Sequence, residues 1–184
     1  KFTFQKFVED IEKSIKIFND KLGYNPSFFS YPFGEYNLEQ KNYISNNFEF
    51  AFGQHSGVID LNKDRYELPR FPINEKYGEI KRFNEVISYL PLQYKIIKPE
   101  NKFMNDGENP PKMTIEFFKD QKNLENINCF SNEGSKWRKT KIILNDNILN
   151  INFSEKFIER RGRINCSLKD ENGWRFSGFQ FVQN

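Results

Sequence analysis

Histidine is nearly absent from this 184-residue chain, which has one, His55, and only two cysteines, Cys129 and Cys166. A zinc centre takes three or four ligands, usually built around paired His or Cys, so no metal site is expected within the chain itself. No apolar run approaches the length of a membrane span, which excludes a helical membrane anchor in the stretch given. Neither sign of charge dominates: 28 Lys and Arg stand against 25 Asp and Glu, a net of +3. The densest basic cluster, Arg160-Arg161-Gly162-Arg163, reads as a solvated turn, so no nucleic-acid partner is expected. The chain starts at Lys1 without a Met, so its start is read as processed or truncated and a missing signal peptide carries no weight.

Aromatic residues are what the sequence has in abundance: 17% of positions, 21 of them Phe, within a hydrophobic share of only 37%. The core must therefore be built from rings more than from aliphatic side chains. In the first half, Phe7, Val8, Ile11, Ile15, Phe18 and Leu22 recur at intervals of three and four, which predicts a helix over 5–22 closed by Gly23. Phe28–Tyr31 reads as a buried strand that breaks at Pro32-Phe33-Gly34. Asn37 and Gln40 have capping-box spacing and open a short helix to about Asn47. Phe48, Phe50 and Phe52 alternate as a strand, Tyr66-Glu67-Leu68 is a second short one closed by Pro69, and Ile80, Phe83, Ile87 and Leu90 mark a last helix before Pro91. The order α-β-α-β-β-α suggests an α/β layer with a parallel sheet.

Beyond Pro91 the helical period disappears. Short alternating segments at Met113–Phe118, Ile127–Phe130, Trp137–Leu144, Ile148–Phe153, Arg163–Leu168 and Trp174–Val182, separated by Asn/Asp/Gly turns, predict an all-β sandwich-like domain. Residues 1–92 and 93–184 are accordingly read as two units. Cys129 and Cys166 fall in two of the predicted strands and either bridge or remain as reduced core thiols; an even count favours the bridge. A bridge would favour a periplasmic, extracellular or cell-envelope location.

The segment Phe28-Phe29-Ser30-Tyr31-Pro32-Phe33-Gly34-Glu35-Tyr36 resembles the third motif of the polysaccharide deacetylases, the NodB-homology group or carbohydrate esterase family 4, in its aromatic-Pro-aromatic-Gly variant. Ala51-Phe52-Gly53-Gln54-His55-Ser56-Gly57, Leu68-Pro69-Arg70-Phe71, Asn74-Glu75-Lys76-Tyr77-Gly78 and Gly162-Arg163-Ile164-Asn165-Cys166 extend the resemblance through most of the chain. It implies a fold, the second half of a distorted β/α barrel followed by the sandwich, and an activity, metal-dependent removal of N-acetyl groups from a polysaccharide or oligosaccharide. The first two motifs, which carry the catalytic-base Asp and the metal-binding Asp and His residues, are absent, as is the later Leu-x-His motif. A divalent, zinc-like metal is therefore expected in the full-length enzyme and not in this chain, which alone should be inactive.

On the same resemblance Phe33 supplies a backbone N–H to the oxyanion, and Pro32 and Gly34, which shape its turn, are expected to contact the substrate. Ser30 stands where many members carry an Arg. Arg70, at a strand end, either orients a carboxylate or substrate, or forms a salt bridge with Glu67, Glu75 or Glu79. His55, in a polar loop after a strand, and Tyr36 are candidate substrate contacts; Trp174 is a further ring that can stack on a sugar. An open sheet edge left by missing barrel strands implies self-association of the fragment. The rival reading is a non-catalytic carbohydrate-binding or interaction module, since a β-sandwich does not by itself decide function.

Overall fold

The first helix, α1 (Phe4–Leu22), is closed by Gly23 as its sequence predicts, and Thr3 caps its other end. The structure, a computed structural model, describes residues 3–105 and 107–183. Thr3 accepts from the Lys6 N–H at 3.3 Å, and Gly23, at φ 79°, returns its N–H to Asn19 O at 2.7 Å. Two parallel strands follow, β1 (Phe28–Ser30) and β2 (Phe50–Phe52), in register Phe28↔Phe50 to Ser30↔Phe52. The crossover between them is α2 (Leu38–Ser45), opened by the reciprocal Asn37–Gln40 capping box. Phe7, Ile11, Tyr31, Tyr36, Ile44, Phe48 and Ala51 make the small core of this layer.

The strand expected at Tyr66–Leu68 is reduced to one parallel bridge, Leu68 to Phe52. Tyr66 is held in a turn by the Asp64 side chain, and Pro69 has no N–H with which to extend the ladder. Two strands and a bridge do not close, so the described residues contain no closed barrel. The last predicted helix is present as α3 (Ile80–Ile87), but its apolar stripe faces solvent, with Ile80 73% and Ile87 63% exposed.

From Leu90 onward, apart from 3₁₀ turns at Leu124–Asn126 and Glu133–Ser135, the regular elements among the described residues are strands. In order these are β3 (Leu90–Pro91), β4 (Ile96–Lys98), β5 (Phe103–Met104), β6 (Met113–Glu116), β7 (Asn128–Ser131), β8 (Arg138–Lys139), β9 (Lys141–Asn145), β10 (Ile148–Asn152), β11 (Arg161–Asp170) and β12 (Gly173–Gln183). One sheet runs β4-β6-β10-β9; the other runs β3-β12-β11-β7-β8, with β5 also paired to β12. Their facing sides, including Met113, Ile115, Leu149 and Ile151 from one and Ile164, Cys166, Leu168, Phe179 and Phe181 from the other, share one core. Because β3 already pairs with β12 at Leu90↔Arg175, sandwich pairing begins just before the expected boundary at residue 92.

The single strand expected over Trp137–Leu144 is a corner. β8 pairs with β7 in the larger sheet and β9 with β10 in the smaller, so the chain changes sheets at Thr140. Buried Thr140 donates its N–H to Cys129 O at 2.8 Å and its hydroxyl to Ser131 Oγ at 3.0 Å, which satisfies the polar groups that a corner exposes.

Candidate functional site

Parallel pairing places the carboxyl ends of three segments side by side. β1 runs into Tyr31-Pro32-Phe33-Gly34, β2 into Gly53-Gln54-His55, and the Leu68 bridge into Pro69-Arg70. The sequence-predicted residues Pro32, Phe33, Gly34, His55 and Arg70 thus come from neighbouring strand ends, the edge of a parallel sheet where α/β proteins build sites.

Pro32–Gly34 form one 3₁₀ turn in which Phe33 adopts φ 58°, ψ 8° and Gly34 φ 69°. A left-handed phenylalanine costs about 1–2 kcal/mol and must be held by its surroundings. The sandwich holds it. Gln180 Nε2 donates to Phe33 O at 3.3 Å and Gly34 O at 3.1 Å, and the Arg161 guanidinium lies 4.9 Å from the Phe33 ring centre. Next to the turn, Glu35 is clamped by Arg160 at 2.9 Å and Arg161 at 2.8 Å. Burial pushes the Glu35 carboxyl up, but hydrogen bonds and charge from the two arginines outweigh it and hold the group below its ordinary value. The arginine cluster read as a solvated turn is therefore the clasp between the halves. Phe33 N–H meets no acceptor among the described residues.

Gly34 is required by geometry as well as by φ: a Cβ there would lie 2.5 Å from Gln54 N. Gly34→Ala is expected to destabilise the protein by about 2–3 kcal/mol, from left-handed strain plus overpacking. Urea unfolding of the variant measures it, and an unchanged midpoint would show that the turn is not fixed as described.

Arg70 is exposed; its Nε donates to Gly53 O at 3.2 Å and its N–H to His55 O at 3.1 Å. Among the described residues it pairs with none of Glu67, Glu75 and Glu79; its guanidinium bonds the Gly53 carbonyl instead. Tyr36 is buried, its ring stacked on Tyr31 at 4.3 Å, which occupies one of its faces. Trp174 is half-exposed at the start of β12, beside Lys169.

Between the halves lies a cavity of about 570 Å³, lined by Tyr36 and His55 but not by Phe33 or Arg70. Burial is the largest influence on His55 and, with Lys102 nearby, lowers its pKa to about 4 against the pull of the Glu67 carboxylate and backbone. The imidazole is neutral at pH 7. Beside it Glu67 Oε2 accepts from Tyr36 Oη at 3.1 Å and from Lys41 Nζ at 3.2 Å, and Lys41 also reaches Asp64 at 2.7 Å. Burial lowers the Lys41 ammonium, but the Glu67 and Asp64 carboxylates more than restore it and hold it above its usual value. Sequence reasoning missed Lys41 and saw Glu67 only as a neighbour for Arg70. The one available signal was that Glu67 immediately precedes a strand end.

This donor set does not fit a catalytic divalent metal. Glu67 is consumed by Lys41 and Tyr36, the single imidazole has Lys102 as a neighbour, and among the described residues no three His, Cys, Asp or Glu side chains cluster as ligands. No protein-family model matches the chain, and neither the curated proteins nor the solved structures contain a match.

Proposed function

We propose that this chain is the carboxyl-terminal part of a polysaccharide deacetylase, a hydrolase that removes N-acetyl groups from a glycan. The observation that carries the reading is the Pro32-Phe33-Gly34 turn. A strained left-handed phenylalanine with no acceptor for its N–H sits at the carboxyl end of a parallel strand, with Arg70 ending a neighbouring segment. Attack on an N-acetyl carbonyl places negative charge on its oxygen, and a fixed backbone N–H aimed at that charge stabilises it without needing a particular side chain. Phe33 takes that role in this reading. Arg70, already tethered through Nε, keeps its terminal nitrogens for a carboxylate or a substrate oxygen.

A divalent metal in the complete enzyme would activate water; its ligands belong, on this reading, to the strands that precede β1. The free edge of β1, where Phe28 is 63% exposed, is where those strands would add. The chain alone is expected to release no acetate from a partly acetylated glucosamine polymer and to hold no stoichiometric metal after dialysis. Close to one metal per chain, or turnover that a chelator abolishes, would overturn the assignment. The alternative, a carbohydrate-binding or interaction module, draws on the sandwich, which has a complete core of its own.

A further inference from the structure

Four lysines line the cavity between the halves, and three are accounted for. Lys41 is neutralised by Asp64 and Glu67, Lys95 pairs with Glu116 at 3.2 Å, and Lys63 lies 3.6 Å from the centre of the Tyr94 ring. Lys102 is different. It is 8% exposed, forms no ion pair among the described residues, and its ammonium has one hydrogen bond, to the Pro99 carbonyl at 3.5 Å, and a distant ring, Phe181, at 6.0 Å. A buried ammonium with one long hydrogen bond is costly to keep, and substitution by an apolar side chain of similar length would remove that cost.

The surroundings are a pocket and not a packing defect. Its volume lies within the range of small-molecule sites, and neutral polar groups on Asn62, Gln93 and Ser177 line it with the aromatic Tyr94 and Phe118. The cavity opens where β12 lacks a neighbouring strand. β3 covers Arg175 and Phe176, β5 covers Val182 and Gln183, and the stretch between them meets only the Gly57 bridge at Ser177. Phe176 O and Val182 N both bond toward that edge, so the alternation of the ladder turns the Gln180 N–H and C=O toward it as well. Two other buried atoms lack partners, Arg163 Nε and Gln180 Oε1, on residues directly opposed across β11 and β12.

We infer that this cavity binds a small hydroxylated monocarboxylate, a sugar acid in chemical class, with its carboxylate on the Lys102 ammonium and its hydroxyls on the neutral polar groups around it. Charge count selects one negative charge. The charged groups lining the cavity are Asp60, Asp64, Glu67 and Glu100 with Lys41, Lys63, Lys95 and Lys102; of these cations Lys41 is already shared by two carboxylates and Lys95 is paired with Glu116. A dianionic phosphate would meet those carboxylates with only Lys102 and the ring-stacked Lys63 to offset it. The inference is independent of the deacetylase reading, since neither Phe33 nor Arg70 lines the cavity.

Calorimetric titration of the wild-type chain with sodium D-glucuronate, D-glucose, sodium acetate and glucose 6-phosphate at matched ionic strength tests it. Glucuronate is expected to bind at least about tenfold more tightly than the other three, the size of one charge-assisted hydrogen bond. Equal binding of glucose, tighter binding of the phosphate, or no binding of glucuronate would overturn the inference, and this comparison needs no variant. Lys102→Met is expected to melt at a higher temperature than wild type and to lose the glucuronate preference. Lys102→Arg should keep it. A destabilised Lys102→Met that still prefers glucuronate would make Lys102 a structural residue and refute the assignment.

Discussion

Reducing the Cys129–Cys166 disulfide is expected to lower the stability of the chain by about 3–4 kcal/mol, the loop-closure entropy of a closed loop of this length. The two residues oppose each other in β7 and β11, 37 positions apart in sequence, with Cα atoms 4.1 Å apart. That closeness belongs to the non-hydrogen-bonded pairs of an antiparallel ladder, where a bridge fits between adjacent strands. Both cysteines are fully buried, so the reduced thiols keep their packing and the loss comes mainly from the freed unfolded chain. Urea unfolding with and without a thiol reductant, after reduction in the unfolded state, measures the difference. Coincident midpoints would show that the bond contributes nothing. A disulfide in the sandwich core is compatible with an oxidising compartment.

Lowering the pH from 6.5 to 4 is expected to remove about 3 kcal/mol through His55 alone, about 2 kcal/mol of it by pH 5. The ordinary imidazole value is 6.5, and burial beside Lys102 lowers it to about 4 in the folded chain. Between those values the unfolded chain binds the proton and the folded chain does not, so stability rises with pH across the window. Above 6.5 the effect is complete; as pH falls toward 4 it is lost. Glu35 and Asp170, held ionised by arginines, are depressed below ordinary carboxylate values and add their own losses only at lower pH. His55→Gln should therefore flatten the stability profile between pH 6.5 and 5. A variant profile as steep as wild type would mean that His55 is not the group responsible.

Local order was legible in the sequence wherever its cause was local. Gly23 after α1 and the Asn37–Gln40 box on α2 are capping chemistry written within a few residues, and the structure keeps both. Pro32-Phe33-Gly34 announced a turn for the same reason. What stayed hidden depends on residues far apart. β3, β4 and β5 are two or three residues long and exist through pairing with β12 or β6, which no period can reveal. Trp137–Leu144 alternates like one strand, yet the Thr140 hydrogen bonds to β7 turn it between sheets. The stripe of α3 predicted a buried face, and the described residues leave it exposed. At the site, Phe33, His55 and Arg70 follow neighbouring strand ends, but of the three only His55 lines the cavity. The Glu67–Lys41–Asp64 cluster and buried Lys102 could not be foreseen, because a lysine buried by tertiary packing looks in sequence like any solvated lysine.

The claim that this chain completes a polysaccharide deacetylase is tested most directly on a longer protein, expressed from the reading frame extended upstream of Lys1, in an acetate-release assay on partly acetylated glucosamine oligomers. The account predicts metal-dependent release that a chelator stops, with an Asp-Asp pair and a His-x-x-x-His pair in the added segment. An extended frame without those ligands, and no acetate above background, would contradict it.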